Sequence, residues 1–102
     1  MIILNAVYKK PIDETAFQKH YNDIHLPLAA KTPGLIKSEI EFVSSVFIGK
    51  AEDYYMIARL YFENKETFKA AMKSEENQAA GKDLMNFAQG RVSLYVTENT
   101  DT

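Results

Sequence analysis

Two histidines five residues apart are the groups in this chain best suited to proton chemistry: His20 and His25, in the stretch Phe17-Gln-Lys-His20-Tyr21-Asn-Asp-Ile-His25-Leu-Pro27-Leu28. An imidazole titrates near neutrality, so either ring can take or give a proton at ordinary pH. Five residues span about 140° around an α-helix, which sets the rings on different faces and argues against the i,i+4 pairing of helical metal sites. No Glu stands four residues from either ring, so the zinc-protease arrangement is absent as well. His25 is the candidate catalytic residue. Pro27 has no N–H for the carbonyl of Asp23, so the helix should kink or stop there and leave a free carbonyl beside the ring. In the catalytic reading one ring nitrogen bonds to backbone or a neighbouring side chain, and the other faces the space between helix and sheet. In the competing reading the ring only ties down the helix end. His20, beside Phe17 and Ile24, reads as a packed or surface residue.

Arg59 stands alone among apolar and aromatic residues and needs a carboxylate, a bound anion or a tyrosine ring as its partner. Tyr21, Tyr55, Tyr61 and Tyr95 can supply phenolic hydrogen bonds or acid–base groups inside a cavity; with Arg59 they form the candidate ligand-binding set. Other chemistries lack their residues. The chain has no cysteine, hence no disulfide framework, thiolate nucleophile or thiolate metal site. Glycines at 34, 49, 81 and 90 are too scattered to cradle a phosphate or form a dinucleotide fingerprint, and no serine sits in a nucleophile elbow. No cofactor and no metal is expected.

The elements that must position these residues follow from the pattern. Ile2 to Tyr8 is a short β-former run, too apolar on both sides for its facing to be decided. A first helix carries Phe17, Tyr21, Ile24 and Leu28 along one face. Asp13 is its N-cap, with Ile12 and Phe17 at the two positions of a hydrophobic staple. Pro33-Gly34 makes a turn. Ile36, Ser38, Ile40 and Phe42 then alternate with Lys37, Glu39, Glu41 and Val43, as in an edge strand with one charged face, and 44–49 extends it as a bulge or an arm. Between 54 and 63, Tyr54, Met56, Ala58, Leu60 and Phe62 form one face, and Tyr55, Ile57, Arg59 and Tyr61 the other. Asn64 caps a second helix with Phe68, Ala71 and Met72, and Ser74 re-caps it. Gly81 and Asp83 are expected to break that run, Asp83 capping a short turn that holds Phe87. The last strand covers 91–97, with Val92, Leu94 and Val96 opposite Arg91, Ser93 and Tyr95.

The order strand, helix, strand, strand, helix, strand predicts an α+β, ferredoxin-like βαββαβ domain: a four-stranded antiparallel sheet with the helices on one face. At 102 residues this is one domain, here placed at 1–97 with 98–102 as a flexible tail. A formal net charge of −2 with interspersed signs offers no basic stripe for nucleic acid. No apolar run reaches membrane-spanning length and no leader pattern precedes the first strand, so a soluble cytoplasmic protein is expected. The sheet face away from the helices, with Tyr55, Ile57, Arg59, Tyr61, Ser93 and Tyr95, is too aromatic for a solvated surface and too polar for an ordinary core.

The residues Phe17, His20-Tyr21, His25-x-Pro27-Leu28 and Pro33-Gly34-Leu35, preceded by Val7-Tyr8-Lys9-Lys10-Pro11, resemble the EthD family of the dimeric α+β barrel superfamily. Near the other end, Glu76-Asn-Gln-Ala-Ala-Gly81-Lys-Asp83-Leu-Met-Asn-Phe87-Ala88 is similar to that family's second helical region. The resemblance implies a barrel-like homodimer paired sheet to sheet, and retention of His25. It also implies a cofactor-independent enzyme or ligand-handling protein for a small aromatic or polyketide-like molecule. A non-catalytic accessory protein of an oxygenase or degradation pathway, and a purely structural dimer, are the alternatives.

Overall fold

The computed structural model describes residues 1–99. Strands β1 (Ile2–Tyr8), β2 (Lys37–Phe42), β3 (Met56–Phe62) and β4 (Val92–Glu98) form one antiparallel sheet in the order β2-β3-β1-β4. The four-stranded ferredoxin-like α+β arrangement is as expected. The α-helices and a π-helix lie on one face. Helix α1 (Glu14–His20) runs into a π-helix (Tyr21–His25) and then α2 (Leu26–Ala30); α3 (Lys65–Lys73) and α4 (Glu75–Ala88) follow β3.

Local chemistry sets most of these boundaries. Asp13 Oδ1 accepts the Ala16 N–H at 3.0 Å, Asn64 Oδ1 that of Thr67 at 2.9 Å, and Ser74 Oγ that of Asn77 at 3.1 Å. Each satisfies an amide that the helix start leaves unpaired. The expected staple does not form, because Ile12 stays exposed while Phe17 turns into the core. Gly34 adopts φ +82° in the turn before β2, and a Cβ there would lie 2.5 Å from Thr67 Cγ2, so only glycine fits.

Two expectations about the helices are corrected. Gly81 and Asp83 do not break α4, which runs unbroken to Ala88; the only interruption between 65 and 88 is at Ser74. Asp83 caps nothing. Burial of Ala80, Leu84 and Ala88 against the sheet outweighs the weak local preference of one glycine and one aspartate. The inward stripe Phe17, Tyr21, Ile24, Leu28 also fails at Ile24. The Leu26 N–H bonds five residues back, to the Tyr21 carbonyl, and this wider turn rotates Ile24 outward and brings His25 inward.

The facing of β1 is now decided. Leu4, Ala6 and Tyr8 join Ala58, Met56, Tyr21, Leu60 and Leu84 beneath the helices, while Asn5 lies on the other face. That outer face carries rows Glu41-Ile57-Val7-Ser93, Glu39-Arg59-Asn5-Tyr95 and Lys37-Tyr61-Ile3-Thr97. The 44–49 segment leaves the sheet as a loop, with Phe47 and Ile48 almost fully exposed. Strand β4 runs to Glu98, opposite Ile2, and the Asn99 N–H donates to the Met1 carbonyl at 3.0 Å, so the expected tail begins no earlier than residue 100, outside the described residues.

Candidate functional site

A cavity of about 150 Å³ lies between the sheet and the layer made by the π-helix, α2 and α4. Its walls are apolar, chiefly Leu4, Ala6, Leu26, Ile40, Leu60 and Leu84. Three of its side chains carry polar tips on nearly buried residues: Tyr8 is 1 % exposed, Tyr21 3 % and His25 7 %. Such groups are normally paired within the protein. Among the described residues neither phenol hydroxyl has a hydrogen-bond partner, and His25 has one on Nδ1 only. Both hydroxyls and the His25 Nε2 are thus available to whatever occupies the cavity.

The π-helix creates this arrangement. Because its hydrogen bonds run five residues back, residues five apart are brought one above the other. His20 and His25 therefore meet on one face, and the 140° separation expected of an α-helix does not apply. Both reach across to α4. His20 Nε2–H donates to Asp83 Oδ1 at 2.8 Å, and His25 Nδ1–H donates to Asp83 Oδ2 at 3.0 Å. A carboxylate only accepts, so these bonds place the hydrogen on His25 Nδ1 and leave a lone pair on Nε2 in the neutral ring. Phe87 packs against both rings, at centroid distances of 4.6 Å to His20 and 5.1 Å to His25. His20 is thus neither a simple surface residue nor one that is merely packed: its partner is the same carboxylate that holds His25.

The electrostatics of the three polar tips follow from burial. Desolvation lowers the His25 pKa; the Asp83 carboxylate opposes that shift, and His20 adds to it. Burial pushes the Tyr21 phenol up to about 12 and the Tyr8 phenol further still, helped there by Tyr21 and Asp83. Both phenols stay neutral and act as hydrogen-bond donors or acceptors at neutral pH. Among the described residues, no group of three or more His, Cys, Asp or Glu side chains is disposed to hold a metal ion. One nitrogen of each histidine, His20 Nε2 and His25 Nδ1, is already bonded to Asp83.

The candidate residues named from sequence divide between places. His25 and Tyr21 line the cavity. Tyr55 does not lie with the outer face: it precedes β3 and bends toward α1, where its hydroxyl accepts from Gln18 Nε2 at 2.9 Å and its ring meets Phe17 edge-on at 5.7 Å. Arg59, Tyr61 and Tyr95 lie on the outer sheet face, on the far side of the sheet from the cavity. There Arg59 pairs with Glu41 and the Tyr61 hydroxyl donates to Glu39, so Arg59 has the carboxylate partner its setting required. Lys37 sits 4.6 Å over the Tyr61 ring.

Two residues of the site, Tyr8 in the cavity wall and Asp83 behind His25, carry no site role in the sequence reading. Tyr8 was missed because β1 shows no alternation. Asp83 did leave a signal: it falls with Ala80, Leu84 and Phe87 on the inward stripe of a helix, where a carboxylate requires a partner.

Comparison with known proteins agrees with this architecture. An uncharacterized 11.0 kDa protein from the thcB-thcC intergenic region of Rhodococcus erythropolis is 35% identical over 98 residues, covering 96% of this chain and 94% of that protein. The crystal structure of an ethyl tert-butyl ether d (EthD) family protein from Bacillus halodurans is 33% identical and superposes with a TM-score of 0.91, over 98% of this chain and 99% of that one. A dimeric ferredoxin-like protein of unknown function from Jannaschia sp. shares the fold at 21% identity, with a TM-score of 0.67 over 97% of this chain and 100% of that one. Among the described residues no helix is long and apolar enough to cross a membrane. The EthD domain model matches residues 9–91, and with these relatives it shows that the chain belongs to the EthD family.

Proposed function

We propose that this protein binds a small, largely apolar molecule, aromatic or polyketide-like, in the cavity beneath the helices, and that His25 exchanges a proton with it without a cofactor. The observation that carries the reading is the His25 ring itself: buried, oriented by Asp83 through Nδ1, and with its Nε2 unpaired beside the cavity. A lone pair set in this way suits a general base, and the protonated ring suits a general acid. The Tyr8 and Tyr21 hydroxyls are placed to hold a carbonyl or phenol oxygen of the same molecule. No Arg or Lys lines the cavity, which favours a neutral ligand over an anion.

The reading includes a homodimer joined through the outer sheet face. Ile3, Val7, Ile57, Tyr61 and Tyr95 make that face apolar between its charged rows, and a chain of this size gains from covering it. The Jannaschia relative described as dimeric is consistent with this. Binding without turnover is the second reading. It is favoured by the apolar walls, which provide volume but few reacting groups.

Native mass spectrometry of freshly purified protein tests occupancy; the expected result is a co-purified small molecule, one per protomer. Naphthol, a neutral aromatic phenol, serves as a binding probe. His25→Gln keeps an N–H donor for Asp83 and should fold with a loss of only about 1 kcal/mol, while naphthol affinity falls. Unchanged affinity together with a much larger loss of stability assigns His25 a structural role and overturns the reading.

A further inference from the structure

Asp83 joins two histidines that line different pockets. His25 lines the inner cavity. His20 lines a separate, more open cleft formed by Lys9, Asp13, Phe17, Phe87 and Arg91 near the start of α1 and the end of α4. The two imidazoles face different pockets, yet they donate to the two oxygens of one carboxylate at 2.8 Å and 3.0 Å. We propose that His20 is a positioning residue for His25: through the shared Asp83 carboxylate it fixes the inner ring and, by holding any proton that enters from solvent, keeps that ring a neutral base. The proposal rests on the reading of His25 as the proton-transfer group.

The argument is one of charge. One carboxylate compensates one imidazolium; protonating the second ring leaves a net positive charge against a buried, apolar wall. The two rings compete unequally for that compensation. The His20 side chain is 25% exposed and that of His25 9%. Desolvation penalises a charge more at the inner ring, so a charge beside Asp83 costs less on His20 than on His25. His25 then keeps Nδ1–H on Asp83 Oδ2 and its lone pair on Nε2.

The other ionisable groups nearby do not reverse this order. Facing His25 are Tyr21 on its own π-helix, Tyr8 on β1 and Asp83 on α4, and burial keeps both phenols neutral. Facing His20 across the outer cleft are Lys9, Asp13 and Arg91. Lys9, 3.9 Å from Asp53, and Arg91, which donates to the neutral Lys10 carbonyl at 3.2 Å and keeps its charge, both oppose a charge on His20, but across an open cleft that solvent screens, whereas the Asp83 carboxylate contacts the ring directly at 2.8 Å; Asp13 is engaged as the α1 cap. A second role for the shared carboxylate follows from its geometry. With one oxygen held by His20, Asp83 cannot rotate away from His25, and the inner tautomer is locked from two sides.

The test needs no ligand. Proton–nitrogen correlation spectra of the imidazoles report both the tautomer of His25 and its titration curve. In the parent protein His25 should be the Nδ1–H tautomer, and its curve should be broadened by coupling to its neighbour. His20→Gln keeps an N–H donor for Asp83 but cannot carry charge. In it the His25 curve should become a single step with its midpoint raised by about half to one pH unit, the scale expected when a like charge is removed across partly exposed surroundings. An unchanged His25 midpoint in a folded His20→Gln protein overturns the proposal. So does an Nε2–H tautomer or an uncoupled curve in the parent, which keeps the test decisive if the variant does not fold. In the parent protein, absence of naphthol binding with the coupling present counts against the proposed function alone; absence of coupling with binding present counts against the role of His20 alone.

Discussion

Replacing Asp83 by Ala removes the acceptor for two imidazole N–H groups at once, at 2.8 Å and 3.0 Å. A hydrogen bond to a charged group contributes about 1.5–3 kcal/mol when buried. The His25 bond falls within that range, because its two side chains are 9% and 11% exposed; the His20 bond is discounted to about 1 kcal/mol for the 25% exposure of its ring. Truncation also leaves the His25 Nδ1–H facing a small void with no partner. The sum predicts a loss of about 2.5–4 kcal/mol for Asp83→Ala, which for a domain of this size is a fall in Tm of roughly 10–30 °C. Asp83→Asn keeps the shape and one carbonyl oxygen. One ring retains its acceptor, the other must change tautomer to accept from the amide, and the expected loss is about 1 kcal/mol. Urea unfolding followed by circular dichroism gives both values, at one fixed protein concentration so that any self-association affects all samples equally. A loss under about 1 kcal/mol for Asp83→Ala, or equal losses for Ala and Asn, would refute the shared-carboxylate reasoning.

Gly81 lies inside α4 at the cavity rim, and a Cβ there meets nothing within 4 Å; Gly81→Ala should therefore stabilise by about 0.5–1 kcal/mol in the same unfolding assay, and a loss of stability would refute an open rim. The raised Tyr21 pKa implies stability that is complete below pH 10 and lost as pH rises from there toward about 12, since the unfolded chain sheds its proton first. Tyr21→Phe should remove part of that alkaline loss in a pH-dependent melt. His25, with its pKa lowered from 6.5, acts at the other end: its contribution is complete above pH 6.5 and is lost as pH falls below it, because the unfolded chain binds the proton more readily. His25→Gln should flatten that acid limb, and an unaltered limb assigns it to other groups. Ile57→Glu sets a carboxylate beside Glu41 on the outer face; sedimentation should show a monomer, and a dimer as stable as the parent would place the interface elsewhere.

Much of the architecture is legible in the sequence because it depends on neighbours along the chain. Asp13, Asn64 and Ser74 act as caps through bonds to amides three residues on, and the alternation of 56–62 and 92–98 follows from the pleat alone. The break at Ser74 and the special turn at Gly34 are local in the same sense. The site is not local. Asp83 meets its histidines across 58 and 63 residues of sequence, and no short-range pattern pairs them. The effect of Pro27 was foreseen as a discontinuity, but not as a π-helix, and that single widened turn decides which of Ile24 and His25 points inward and whether two histidines five apart share a face. The side of the sheet taken by Tyr8 was likewise open, because β1 is apolar on both faces and only the packing of α4 and the π-helix against it decides between them. Sequence thus determined most of the elements and named His25, whereas the partner, the tautomer and the cavity on which its proposed role depends come from contacts that exist only once the helices have closed over the sheet.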